Sequence, residues 1–387
     1  MSIPFYRAAL LAEVGLAALV LGALAAGCLP ARDAPPAPTV DAPHAVHADT
    51  ALVDSLARAF FEAHTLPSLV VGLVDSTGRQ VWVYGDADSL GAPDIHTRYE
   101  IASITKVFTA LALADLAARG TVALDDPVSA YLPDSLAVPE HVTLERLASH
   151  TAGLPFLPPG LPLTLDPYAT YTVRDLFSAL GGIHIGAPGD YLYSNLGVGL
   201  LGHALARAEG VTYADLIQTH VLRPLGLEET SVLVPDTARL AQPHAQPGQT
   251  TPPWTFTDAF AGAGALRAST ADMLALLAVH LDPPADLPPS LAEAIAMVKR
   301  PRVSIPAHSF SVALGWHRSP IGTDGASLAL WHNGSTGGTR SFAGYVSGNT
   351  GGGVGVVVFT NIQQDATDFG LDLLGHVATA SPGRDPH

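Results

Sequence analysis

Apolar residues along this 387-residue chain change their spacing three times, and each change predicts a different kind of element. Ala51–His64 carries a one-sided helical pattern, and Ser68–Asp75 and Gln80–Tyr84 read as two strands joined through Ser76–Arg79 into a hairpin. From Val107 to Ala118 the only strongly polar residues are Thr109 and Asp115. That spacing predicts a helix apolar on nearly every side, of the kind buried in a large domain, with Arg119 in its last turn and Gly120 as its stop. Further helices are predicted where Thr143, Thr172, Thr212 and Ser269 stand as N-caps; Thr172 and Thr212 each precede an Asp by three residues, as in a capping box. The Pro-rich stretch Phe156–Tyr168 reads as a stiff loop able to wall a cleft, and the prolines of Asp282–Pro289 end a helix. In the last hundred residues, Ser311–His317, Ser327–His332, Arg340–Val346 and Gly353–Thr360 are strand-like, and Gln363–Ala378 reads as a closing helix. Strands at both ends with helices between them predict an α+β fold. Its antiparallel sheet is assembled from both chain ends, with the helices forming a second layer and a lobe of their own.

The two termini depart from this pattern. Residues 1–28 read as a signal peptide: Arg7, an apolar run from Val14 to Ala26, then Gly27-Cys28. Residues 29–48, rich in Pro, Ala and Asp without periodicity, read as a disordered tether, residues 49–380 as the folded domain and residues 381–387 as a tail. Cys28 is the single cysteine, so no internal disulfide is possible. Nothing beyond the first 30 residues is long and apolar enough to span a bilayer. The net charge of −16 is opposite to a nucleic-acid footprint, and no nucleic-acid partner is expected. The chain has no phosphate loop of the G-x-x-x-x-G-K type, no H-E-x-x-H and no G-x-S-x-G elbow, and neither a metal nor a cofactor is expected.

Candidate chemistry begins where the apolar helix begins. The chain has only two lysines, Lys106 and Lys299, against 17 arginines, and Lys106 stands three residues after Ser103. Positions three apart share a helical face. A serine hydroxyl needs a base to become a nucleophile, and a lysine amine can act as one where burial or positive potential lowers its pKa, whereas arginine cannot. A Ser and a Lys at a frayed surface helix start is the competing reading. Ninety residues on, Tyr193-Ser-Asn195 precedes the apolar segment Val198–Ala206. Tyr193 can relay a proton if Lys106 stabilises its phenolate, and Asn195 can hold Lys106 and donate to a substrate carbonyl. His150, in Ser149-His-Thr-Ala-Gly, reads as a residue that holds a helix end and a loop together. Trp331-His-Asn-Gly-Ser-Thr-Gly-Gly338 closes one strand and precedes another. Its small residues let a substrate backbone lie along the strand edge, and the Ser335 N–H can complete an oxyanion hole with the Ser103 N–H; a plain Gly-rich hairpin is the alternative.

Ser103-Ile-Thr-Lys106, Tyr193-Ser-Asn195 and His332-Asn-Gly334 occur in the order and spacing of the serine β-lactamase and penicillin-recognising hydrolase superfamily. The chain resembles its class C side, which includes D-alanyl-D-alanine carboxypeptidases, D-aminopeptidases and esterases. The resemblance covers about Ala51 to Ala378. Supporting stretches are Ser149–Pro155, Leu222–Leu227 and Gly262–Leu266. It implies a five-stranded antiparallel sheet flanked by helices, an all-helical lobe and a cleft between them. It also implies Ser103 as the acylated nucleophile, Lys106 and Tyr193 as general bases, and the N–H groups of Ser103 and Ser335 as the oxyanion hole. Asn195, His332 and Gly334 would contact the substrate, a small molecule or peptide. Class C β-lactamases carry Lys-Thr-Gly or Lys-Ser-Gly where this chain has His332-Asn-Gly334, a form similar to that of D-aminopeptidases. The permanent charge that suits a substrate carboxylate is therefore missing, and Arg340 is the nearby residue able to restore it. Leu24-Ala-Ala-Gly-Cys28 resembles a bacterial lipobox, which implies lipidation of Cys28, export across the cytoplasmic membrane and anchoring in the cell envelope or periplasm. The expected activity is hydrolysis of an amide or ester through an acyl-enzyme. The alternatives are a penicillin-binding protein or sensor that deacylates slowly, or a true class C-like β-lactamase.

Overall fold

The computed structural model describes residues 49–87, 91–232, 239–306, 310–322, 325, 327–348 and 353–379. Cys28 and the expected signal segment, tether and tail lie outside them. The first helix, α1 (Thr50–His64), begins where the Asp49 carboxylate accepts from the N–H groups of Ala51 and Leu52, as an N-cap does. The hairpin follows as β1 (Ser68–Asp75) and β2 (Gly78–Gly85). Next come β3 (Arg98–Glu100), a 3₁₀ turn at Ala102–Ile104 and the apolar helix α2 (Thr105–Ala118). The helical region continues with α3 (Leu144–Ala148), α4 (Val173–Leu180), α5 (Asn195–Glu209) and α6 (Tyr213–Ile217). At α4 the Thr172–Asp175 capping box forms in full. A small ribbon, β4 (His244–Gln246) and β5 (Gln249–Thr250), precedes α7 (Ala261–Gly264), β6 (Arg267–Ser269), α8 (Thr270–Leu281) and α9 (Pro289–Val298). The chain ends with β7 (Val303–Ile305), β8 (Phe310–Val312), β9 (His317–Ile321), β10 (Ser327–Ser335), β11 (Arg340–Ser347), β12 (Gly353–Thr360) and α10 (Thr367–Thr379).

The sheet is antiparallel throughout and has eight strands, in the order β2-β1-β12-β11-β10-β9-β8-β7. The first five of these match the five-stranded expectation and come from both chain ends. Strands β9, β8 and β7 extend the sheet beyond it. They are three to five residues long, too short to show a period of two. The run Ser311–His317, expected as one strand, breaks in two. Ala313 N–H donates to Trp316 O, and Gly315 turns the chain at φ 71°.

Helices cover both faces. Gly72 and Gly355 lie on one face, where an added Cβ would touch Leu274 and Leu277 of α8. By pleat alternation Phe342 points to the other face, where it fills the space above Gly370 of α10. Phe60 of α1 stacks on Phe369, ring centroids 4.3 Å apart, and so ties the N-terminal helix to the C-terminal one. Helix α2 is buried from Thr105 to Leu116 and packs on α9, a helix the sequence pattern did not announce.

Candidate active site

Ser103 sits in the 3₁₀ turn that leads into α2, one turn of helix before Lys106. The two side chains meet: Lys106 Nζ is 2.9 Å from Ser103 Oγ. The same nitrogen donates to the carbonyl of Ala263 at 2.8 Å and lies 5.0 Å from the ring centroid of Tyr193. Lys106 is 1% exposed, so its amine is held by these neighbours rather than by bulk water. Ala102, just before Ser103, has φ +47°, a conformation that costs an L-residue energy and persists only when its surroundings enforce it.

Three polar residues on one face of α2 hold the short helix α7 against it. Thr105 Oγ1 accepts from Leu266 N–H at 3.1 Å, Lys106 reaches Ala263 O, and Thr109 Oγ1 donates to Gly262 O at 2.7 Å. Helix α5 closes on α7 from the other side, where Gly202 and Gly262 face each other. A Cβ on either would come within 2.9 Å of the other's Cα. The Gly262–Leu266 stretch is thus a strut that aims a carbonyl at Lys106.

Strand β10 supplies the opposite wall. Gly334 is required there, because a Cβ would stand 2.1 Å from the carbonyl oxygen of Ile101 and 2.3 Å from Ser341 Oγ. Ser341 Oγ in turn donates to that carbonyl at 3.0 Å. The end of β10, with Ser335, therefore lies against the backbone that leads into Ser103. Strand β9 pairs with β10 only as far as Trp331, which leaves residues 332–335 with no strand on that side among the described residues. An extended substrate has an open edge there.

Glu100 was not foreseen. Its buried carboxylate accepts from Trp254 N–H at 2.7 Å, from Thr336 Oγ1 at 2.9 Å and from Thr339 Oγ1 at 3.3 Å. Burial pushes its carboxyl above the usual range, while Arg267, paired with it across β3 and β6, pulls it back. One carboxylate three residues before Ser103 thus holds the turn after Ser335 and the backbone at Trp254. Trp254 carries the cleft wall: its indole N–H donates to Leu165 O at 2.6 Å, and the next N–H, of Thr255, donates to Asp166. The Pro-rich stretch is fastened there. The readable signal was a single carboxylate between Tyr99 and Ile101 in an apolar run.

The third wall is aromatic and holds three buried histidines. Ser194 N–H donates to His150 Nδ1 at 3.1 Å and Leu192 N–H donates to His150 O at 2.8 Å, so His150 fixes the loop on both sides of Tyr193. Its ring is 4.4 Å from that of Tyr193. His150 also adopts φ +59°. His332 stacks on His317 with centroids 4.9 Å apart, and the Tyr191 hydroxyl lies 3.0 Å from His317 Nε2. Burial first, with the charge of Lys106, holds all three below the ordinary histidine value, His317 at about 4, and neighbouring histidines add to this for His150 and His332. All three are neutral imidazoles at pH 7. His317 had no signal beyond standing after Trp316.

Ser103, Lys106, Tyr193, His332, Gly334 and Ser335 thus converge. Asn195 opens α5, and its backbone N–H donates to Phe156 O at 3.0 Å. Its side-chain nitrogen faces the Tyr168 hydroxyl at 3.5 Å, and its Oδ1 is buried with no partner among the described residues. Arg340 braces the turn after Ser335: Nη1 donates to Thr336 O at 2.9 Å and to Thr339 O at 3.1 Å. Among the described residues no group of three or more His, Cys, Asp or Glu is placed to hold a metal ion.

Known proteins resemble this chain in sequence and in fold. The family model described as Beta-lactamase matches residues 53–380. A β-lactamase of Pseudomonas fluorescens is 29% identical over 281 residues, 70% of this chain and 74% of its own length. The D-alanyl-D-alanine-carboxypeptidase/endopeptidase AmpH of Escherichia coli K12 is 31% identical over 239 residues, 59% of this chain and 61% of its own. Among solved structures, a class C β-lactamase from Rhodobacter sphaeroides superposes with a TM-score of 0.72 at 26% identity, covering 84% of this chain and 97% of that one. A β-lactamase/D-alanine carboxypeptidase from Pseudomonas syringae, at 20% identity and a TM-score of 0.73, shows the same fold. With its family match running through the whole folded domain, this chain belongs to the β-lactamase family.

Proposed function

We propose that this protein is a serine hydrolase of the cell envelope that cleaves an amide or ester bond through an acyl-enzyme at Ser103. The observation that carries this reading is the 2.9 Å contact between Ser103 Oγ and Lys106 Nζ at a buried, strained helix start. In the acylation step the Ser103 hydroxyl proton passes to the neutral amine of Lys106, or to Tyr193 as phenolate, and Oγ bonds to the substrate carbonyl carbon. The carbonyl electron pair moves onto oxygen, where the N–H groups of Ser103 and Ser335 receive it. Collapse breaks the bond to the leaving group, which takes up the proton. Water then repeats the sequence on the acyl-enzyme and releases the acid. Relatives named as β-lactamase, D-alanyl-D-alanine carboxypeptidase/endopeptidase and penicillin-binding protein support this chemistry and leave the acyl group open.

Intact-protein mass spectrometry with a fluorophosphonate is expected to show one adduct, mapping to Ser103 and lost in Ser103→Ala. An adduct elsewhere, or full activity in Ser103→Ala, overturns the mechanism. A chromogenic ester separates the hydrolase from a slowly deacylating penicillin-binding protein. The hydrolase gives a burst followed by steady turnover, and the binding protein gives the burst alone. Residues 1–48 support a further part of the reading, attachment to the membrane through a lipidated Cys28. Cys28→Ala is then expected to release the protein from the membrane fraction or leave its precursor uncut. A mature N-terminus elsewhere on a freely soluble protein rules this out.

A further inference from the structure

The tautomer of His332 is fixed by its own strand. Its Nδ1 lies 2.7 Å from the carbonyl oxygen of Asn333, which can only accept, so Nδ1 carries the proton. In the neutral ring Nε2 is then a lone pair. That nitrogen is buried and has no hydrogen-bond partner among the described residues, in a side chain only 1% exposed. The ring lies 6.2 Å from that of Tyr193, at the head of the open edge that runs from 332 to 335. We propose that His332 Nε2 is a specificity-determining acceptor that selects substrates presenting an N–H donor to this edge, as a peptide chain that continues as an amide does, over substrates that present a free carboxylate there. The proposal rests on the serine-hydrolase reading above and adds the substrate class to it.

The physical reason is polar pairing in a dry site. A buried acceptor left alone is unfavourable, and a substrate N–H satisfies it. A carboxylate sets its own lone pairs against that of Nε2 and gains nothing for the water it gives up. Discrimination by a buried polar group of this kind is on the order of ten- to a hundredfold. The charged and titratable groups around the ring are His317, His150, Lys106 and Tyr193. None offers a carboxylate that would favour imidazolium, so the acceptor persists into mildly acidic solution.

The experiment compares kcat/KM for N-acetyl-D-alanyl-D-alanine and N-acetyl-D-alanyl-D-alaninamide, which differ only in a terminal carboxylate or carboxamide. It uses the full chain as wild type, His332→Phe and His332→Lys, at pH 5.5 and 7.5. The wild type is expected to favour the carboxamide at least tenfold at both pH values. His332→Phe is expected to lose that preference through a slower carboxamide reaction, and His332→Lys to favour the carboxylate. Equal or greater turnover of the carboxylate by the wild type overturns the proposal, and this arm needs no variant to fold. A preference unchanged in a folded His332→Phe overturns it too. Fluorophosphonate labelling of Ser103 runs in parallel. Labelling without the expected preference, or with neither peptide cleaved, sinks the role of His332 alone, whereas absence of labelling in the wild type sinks the hydrolase reading itself.

Discussion

Single residues here are set by what they must satisfy. Glu100 receives three donors from two segments that neighbour the proposed oxyanion site, so removing it frees the turn after Ser335 and leaves buried donors behind. A hydrogen bond to a charged group contributes about 1.5–3 kcal/mol. If that organisation is used in the transition state, Glu100→Ala lowers kcat roughly ten- to a hundredfold. Glu100→Gln, which keeps the shape and can still accept from Trp254 N–H, is expected to recover most of it, with KM little changed in both. Equal kcat in all three proteins contradicts this role. Lys106→Arg puts a guanidinium where the amine stands between Ser103 Oγ, Ala263 O and the Tyr193 ring, and it cannot serve as a base. Fluorophosphonate labelling should slow by two orders of magnitude or more, on the order of a lost general base. Labelling of Lys106→Arg at the wild-type rate would show that the amine is not the base.

At the scale of elements, the site depends on helices that approach unusually closely. Gly202 of α5 and Gly262 of α7 touch backbone to backbone, and Gly199 comes equally close to Ala259, where a Cβ would lie 2.5 Å from the carbonyl oxygen. A side chain there must push α7 away from α5 and towards α2, and α7 carries the carbonyl that holds Lys106. Overpacking of this kind costs about 1–3 kcal/mol. Gly202→Val is therefore expected to lower the melting temperature by several degrees and to slow labelling of Ser103 as well. A melting temperature unchanged in Gly202→Val would show that the strut gives way without cost. His150 acts on a loop in the same manner. His150→Phe strands the buried Ser194 N–H, at about 1–3 kcal/mol, and should lower both the melting temperature and turnover, whereas unchanged kcat in the folded variant would show that the Tyr193 loop does not need this bond.

The whole molecule records its buried histidines in its response to acid. His150, His280, His317 and His332 are all held below the ordinary value by burial, His280 and His317 at about 4. Between about 6.5 and 4 the unfolded chain binds protons at these positions that the folded chain refuses, so stability falls as pH falls through that window. At pH 5 the loss is roughly 2 kcal/mol for each of His280 and His317. Thermal unfolding followed from pH 7.5 to pH 5 should show a steadily falling melting temperature. A flat profile over that range would mean that these rings take up protons in the folded state.

Along the chain, patterns confined to one segment were legible. Strand β1 and strand β12 occupy the residues their apolar runs indicated, and the Thr172–Asp175 capping box closes as its spacing required. The Ser103–Lys106 contact was legible for the same reason, because three residues on a helix bring two side chains together whatever surrounds them. Strands β7, β8 and β9 were not legible: they are short, and their partners lie in neighbouring strands rather than in any period of their own. Tertiary structure alone decided that Glu100 would face Thr336 and Thr339, more than 230 residues away, and that His317 would stack on His332. It also decided the chemical character of His332. Its residue type allows a cation, a donor or an acceptor near pH 7, and only burial beside the Asn333 carbonyl selects the neutral ring with its lone pair on Nε2. Local spacing determines which side chains share a face, whereas desolvation and distant partners determine what those side chains can do.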